Sequence, residues 1–252
     1  MSGKSAREQR QAERLQAESA ASTGERRTKL MQLAAGAAFL AIAVVLILIV
    51  VNGTSSDGGD TNLEKTADVN AKLAGIPQNG MVLGNPKAPV ELVEFADLQC
   101  PYCKAFTEDM LPGIIENQVK NGEVKVAFHN FTIIGEQSLP AGAAALAAGA
   151  QGRGWNFVEI FYANQGVEDS GYADDEFLEA VAKGAGVGNI AKWNGERSKF
   201  EAEVEATTAE AQKLGFEGTP SLAVKGPNTD GLEPIQVPES VGELEDALDA
   251  AR

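Results

Sequence analysis

The sequence predicts an α/β domain carried behind a single membrane-spanning segment. Three observations lead there. The run from Leu33 to Val51 contains no charged residue. Two strand-like segments, VELVEFA (90–96) and VKVAF (124–128), flank one helical stretch. An alanine-rich helical region, about 138–213, then separates this β-α-β unit from a β-β-α unit at the C-terminus.

Residues 1–29 read as a short cytoplasmic tail. They hold seven basic and four acidic residues, a net +3, which leaves −18 for the rest of a chain whose total is −15. The two parts are therefore expected in different surroundings. Residues 30–51 follow as a transmembrane signal anchor, since about 20 apolar residues span a bilayer core. Arg26, Arg27 and Lys29 precede the run, and Asp57 and Asp60 follow it. The positive-inside rule then leaves the N-terminus in the cytoplasm and the remainder outside. A cleaved signal peptide is the competing reading. The apolar run exceeds the usual length of a signal core, and the exit VVNGTSSDGG lacks a small-x-small cleavage pattern.

Residues 52–74 are a linker of small polar residues and a short helix within LEKTADVNAKLA. GIPQNG reads as a turn, and GNPKAPV as a proline-rich approach to the first strand. The strand 90–96 is rich in β-formers. A helix is expected from about Cys103 to Lys120, with Phe106, Met110, Ile114 and Val119 as its apolar stripe and a kink at Pro112. The strand 124–128 completes a parallel, right-handed crossover. Four or so helices fill the block, with Trp155, Phe157, Phe161 and Tyr162 as core. TPSLAV and LEPIQVP are two further short strands. ESVGELEDALDAA closes the chain as a helix capped by Ser240 ahead of Glu243.

Composition excludes some functions. With 21 Lys and Arg against 36 Asp and Glu, binding through phosphate neutralisation is not expected, so no nucleic-acid partner is assigned. The one histidine, His129, rules out a multi-histidine metal site within one chain, and no cofactor is implied. Being alone at a strand end, His129 is read as structural or solvated.

The chemistry rests on Cys100 and Cys103, the chain's two cysteines, in CPYC. A structural disulfide gains most by closing a long loop, which this spacing does not do. A metal site needs more ligands than are present. A redox pair needs one attacking and one resolving thiol, which is what the spacing offers. Pro101 suits the first turn of a helix. Cys100, at the helix start, is expected to be the exposed, acidic nucleophile, because unpaired N–H groups there favour a thiolate. Cys103 is expected to be buried.

GNPKAPVELVEFADLQCPYC, the helical block and GFEGTPSLAV together resemble the DsbA-like branch of the thioredoxin superfamily, in its membrane-anchored Gram-positive (actinobacterial) type. The resemblance covers about residues 75–250. It implies a thioredoxin-like fold over 75–252: a central mixed sheet with flanking helices and an inserted all-helical domain at about 138–213. It implies that Cys100 attacks, that Cys103 resolves, and that Pro220 is the cis-proline lying against the disulfide. Thr219 then offers backbone hydrogen bonds to substrate, Pro101 and Tyr102 border the bound chain, and Glu94 is a buried acid that moves protons. It further implies an extracytoplasmic protein disulfide oxidoreductase that introduces disulfides into secreted or envelope proteins. A membrane partner of the DsbB or vitamin-K-epoxide-reductase-like type would reoxidise it. An envelope reductase or isomerase, and a non-catalytic peptide-binding module, are the alternatives. Tyr102 stands where the strongest oxidants of the family have histidine, so no side-chain cation is expected between the cysteines.

Overall fold

The computed structural model describes residues 63–252. The expected cytoplasmic tail and the transmembrane segment at 30–51 lie outside the described residues. Among those described, no helix is long and apolar enough to cross a membrane.

The chain opens with α1 (Thr66–Leu73) and a small hairpin, β1 (Gln78–Asn79) and β2 (Val82–Leu83). That hairpin lies where the sequence suggested only a turn and a proline-rich approach. Each of its strands is two residues long, too short for an alternating pattern to show. β3 (Val90–Ala96) leads into a helical run, α2, and then β4 (Val124–Asn130). The block contains α3 (Ser138–Gly149), α4 (Gly154–Ala163), α5 (Asp175–Gly184), α6 (Ile190–Glu196), a 3-10 turn at Arg197–Phe200, and α7 (Glu201–Lys213). β5 (Ser221–Lys225), β6 (Glu233–Ile235) and α8 (Val241–Ala251) end the fold. The predicted Ser240 cap is present: its hydroxyl accepts from the Glu243 N–H at 3.2 Å.

The sheet runs β1-β2-β4-β3-β5-β6. β3 and β4 are parallel, joined by α2, and every other pairing is antiparallel. This is the mixed sheet expected. α2 departs from expectation at its start and in its middle. It begins at Pro101, two residues before the predicted start. It then alternates Pro101–Ala105 and Leu111–Ile114, both α-helical, with π-helical turns at Phe106–Met110 and Ile115–Val119. Pro112 has no N–H to return to the preceding turn. The helix absorbs this by widening, as in the Leu111 N–H bond to the Phe106 carbonyl.

Alternation along the strands separates two apolar layers. Val90, Leu92, Ala96, Val126, Phe128, Leu222 and Val224 face the larger core, shared with α2 and with Trp155, Phe157, Phe161 and Tyr162. Val93, Phe95, Ala127 and Ala223 face a smaller one, closed by Ala211 of α7. The last helix of the block therefore covers the second face of the sheet. α3 is buried from Ala141 to Gly149, its small side chains allowing close approach of its neighbours. Both tryptophans are buried with the indole N–H satisfied, Trp155 by the Met81 carbonyl (2.8 Å) and Trp193 by the Ala144 carbonyl (2.9 Å).

Candidate active site

β3 ends at Ala96, and residues 97–100 turn the chain into α2. Cys100 is the N-cap residue, with extended backbone (φ −76°, ψ 121°), and Pro101 fills the first helical position. The Cys100 N–H bonds the Asp97 carbonyl at 2.9 Å, and its own carbonyl receives the Lys104 N–H at 3.1 Å. Both cysteines are thiols.

The expectation that Cys100 is exposed is corrected: it is 2% exposed. The loop before β5 lies against it, with the Cys100 Sγ 3.3 Å from the Thr219 carbonyl oxygen. The Thr219–Pro220 peptide is cis, as the resemblance implied. The residues between the cysteines are the exposed ones, Pro101 and, at 76%, Tyr102.

The two thiols differ in acidity in the predicted sense. Cys100 is lowered from 9.0 to about 6. The largest cause is a hydrogen bond from the Cys103 thiol. The Thr219 side chain and the backbone N–H groups of Cys103 and Tyr102 add to it, against the opposing effect of burial. Tyr102 thus supports the thiolate through its main chain, where the helix start leaves N–H groups unpaired. Cys103 is pushed well up, first by burial, then by its bond to Cys100 and by the charge of Glu94.

Glu94 lies at the centre of β3, level with Phe128 of β4 and Leu222 of β5. It is wholly buried on the larger-core side, and neither carboxyl oxygen has a hydrogen-bond partner among the described residues. Burial, and then the charge of Cys100, raise it well above the carboxylate range. Glu94 and the two thiols are electrostatically coupled: the charge of Cys100 raises Glu94, and the charge of Glu94 raises Cys103. His129 sits elsewhere. It is level with Phe95 on the opposite side of the sheet, edge-on to that ring at 5.0 Å, with Nδ1 3.2 Å from Glu210.

Several contributors went unseen in the sequence. Asp97 accepts from the N–H groups of Gln99 (2.9 Å), Ile133 (2.8 Å) and Ile134 (3.0 Å), fixing the turn to the segment after β4. Tyr162, read only as core, donates its hydroxyl to the Asp97 carbonyl at 3.1 Å. Gln99, fully buried, donates to the Ser138 hydroxyl (2.9 Å) and accepts from the Asp169 N–H (3.0 Å). A glutamine beside a CxxC motif carries no pattern that would announce this.

The family described as Thioredoxin matches residues 77–249. This chain belongs to the thioredoxin family, as a DsbA-like thiol–disulfide oxidoreductase. Disulfide bond formation protein D of Bacillus subtilis is 30% identical over 166 residues, 64% of this chain and 75% of that protein. A probable disulfide bond formation protein D of Bacillus cereus is 31% identical over 153 residues, 57% of this chain and 69% of that one. Among solved structures, oxidised BdbD from Bacillus subtilis superposes with a TM-score of 0.61 at 26% identity, covering 70% of this chain and 96% of its own. A thioredoxin-like oxidoreductase from Silicibacter pomeroyi gives 0.55 at 32% identity, covering 68% and 91%.

Proposed function

We propose that this DsbA-like enzyme introduces disulfides into secreted or envelope proteins outside the cytoplasm, held at the membrane by residues 30–51. The observation that carries the reading is the unequal placement of the thiols: Cys100 caps the start of α2 against the Thr219 carbonyl, while Cys103 is fully buried, a setting that lowers Cys100 to about 6 and pushes Cys103 up. A low-pKa first cysteine makes the reduced enzyme stable, so its disulfide is a ready oxidant.

The electrons balance as follows. A substrate thiolate attacks the Cys100 sulfur of the Cys100–Cys103 disulfide. A new sulfur–sulfur bond forms to Cys100, and the old bond breaks with its electron pair on Cys103. Glu94, buried beside it, supplies the proton that neutralises this second thiolate. A second substrate thiolate then attacks the substrate sulfur of the mixed disulfide and releases Cys100 as its stable thiolate. The substrate has lost two electrons, and the enzyme holds them as a dithiol. A membrane partner of the DsbB or vitamin-K-epoxide-reductase-like type accepts them. Exposed Tyr102 and Pro101, with the Thr219 backbone, border the place where the substrate chain lies.

The decisive experiment uses reduced, unfolded ribonuclease A and the disulfide form of the purified protein. Stoichiometric oxidation of ribonuclease thiols, lost in Cys100→Ser, supports the reading, and Cys103→Ser should accumulate mixed disulfides. A reduction potential near about −120 mV marks an oxidant, and one near about −270 mV would replace this reading with the reductase. Full cellular activity of Cys100→Ser would favour the binding module.

A further inference from the structure

The C-terminal end of α4 grips the turn that carries Cys100. The Tyr162 hydroxyl takes the Asp97 carbonyl (3.1 Å), and the Gln165 side-chain amide donates to the carbonyls of Leu98 (2.8 Å) and Cys100 (3.1 Å). Gln165 is itself anchored. Its N–H bonds the Tyr162 carbonyl at 3.2 Å. The adjacent Asn164 donates to the Ile160 carbonyl (2.8 Å) and accepts from the Glu64 N–H (2.6 Å). One amide with two N–H groups thus spans the two carbonyls on either side of Gln99.

We infer that Gln165 is a positioning residue for thiol–disulfide exchange: by bridging the Leu98 and Cys100 carbonyls it holds the first cysteine with its sulfur against Thr219. The inference rests on the reading of Cys100 as the attacked sulfur. Two physical effects follow from the bridge. The first is geometric. The turn 97–100 can rotate about Cys100 only by breaking both bonds, so the sulfur keeps its place over the N–H groups of Tyr102 and Cys103. The second is electrostatic. The Cys100 carbonyl oxygen is the negative end of a dipole on the same residue as the thiolate. Amide hydrogens on that oxygen neutralise it, which favours negative charge on the neighbouring sulfur in a site shielded from water. The ionisable groups coupled to Cys100 are Cys103, Glu94 and Tyr162, and Gln165 is none of them, so its effect is separable from theirs.

The test compares Gln165→Met with Gln137→Met. Methionine keeps the shape and removes the donors. Gln137 is a control of the same kind: its amide donates to the Gly171 carbonyl (3.0 Å) and accepts from the Ala173 N–H (3.2 Å), both outside the cysteine turn. Thiolate absorbance against pH and equilibration with glutathione are measured for both, along with Tm. Gln165→Met is expected to raise the Cys100 midpoint by about half to one pH unit and to shift the glutathione equilibrium about three- to tenfold toward the enzyme disulfide, a weaker oxidant. Gln137→Met should lower Tm comparably and move neither. Gln165→Glu, with a carboxylate against two carbonyl oxygens, should shift both further the same way. Wild-type values in Gln165→Met, whatever its Tm, overturn the inference. Equal shifts in both methionine variants do so too, because they reveal general loosening. If the unaltered protein already titrates as an ordinary thiol and leaves ribonuclease reduced, the functional reading fails instead.

Discussion

Glu94 and Asp97 are two buried carboxylates three residues apart, and the fold treats them in opposite ways. Both are fully inaccessible. Asp97 accepts three backbone N–H groups, one on Oδ1 and two on Oδ2. Glu94 has no hydrogen-bond partner on either oxygen among the described residues. A carboxylate that accepts several N–H bonds ties the segments that donate them, whereas one buried without donors holds its proton. Asp97 therefore organises the cysteine turn, and Glu94 is left with a proton to give. The difference is one of strand and loop. β3 presents Glu94 among side chains, where no main-chain donors are free, while Asp97 lies just past the strand, where the turn and the segment after β4 expose theirs.

The largest effect that distinguishes them is on folding. Asp97→Ala strands three backbone N–H groups, that of Gln99 fully buried and those of Ile133 and Ile134 partly so, and we expect a loss of about 3 kcal/mol in urea unfolding. Asp97→Asn keeps one acceptor and should fall between. In contrast, Glu94→Leu removes an unpartnered buried carboxyl and is expected to leave stability unchanged or raise it by about 1 kcal/mol. The same change should slow exchange with a model thiol by about 100-fold, because the buried Cys103 loses its proton partner. A fully stable Asp97→Ala, or a Glu94→Leu that exchanges at the wild-type rate, would break the contrast.

Dependence on pH sharpens it. The folded pKa of Glu94 is raised, so its contribution to stability is complete below about 4.5 and is lost as pH rises toward its folded value. The folded pKa of Cys100 is depressed, so its contribution is complete above its ordinary 9.0 and is lost as pH falls to about 6. The reduced protein should thus weaken from pH 4.5 to 6, and above 6 the Cys100 contribution opposes that slope. The disulfide form, lacking a titrating Cys100, should show only the decline. Paired urea titrations of both redox forms from pH 4 to 9 test this. The reduction potential should likewise change slope near pH 6, from about 59 to about 30 mV per unit, since one fewer proton is taken up above it.

Much of the site was legible because its signals are local. Cys100-x-x-Cys103 sits where a β-rich run meets a helical stripe, and Thr219–Pro220 opens a strand. Alternation along VELVEFA places Glu94 on the face of Leu92 and Ala96. What escaped depends on tertiary neighbours. The exposure of Cys100 is set by a loop 119 residues away, which no local pattern encodes. The π-helical turns of α2 follow from how the chain accommodates Pro112, and a helical stripe looks much the same with or without them. Gln99, Gln165 and Tyr162 are ordinary residues whose work is done through one or two hydrogen bonds each to segments distant in sequence. Asp97 reads as a loop acid until the segment after β4 brings it two further donors.

The smallest effect concerns Thr219, where two atoms of one residue act in opposite senses. Its carbonyl oxygen, 3.3 Å from the Cys100 sulfur, can accept only from the thiol and so favours the protonated form. Its side chain bonds the thiolate and lowers the pKa. Thr219→Val keeps the shape and the carbonyl and removes only the hydroxyl. The Cys100 midpoint should rise by about half a unit, a change of about threefold in the exchange equilibrium. Thr219→Ser, which restores the hydroxyl, should return it to about 6. Thiolate absorbance resolves a change of this size. An unmoved midpoint in Thr219→Val would leave the helix-start N–H groups and the Cys103 thiol to hold the charge by themselves.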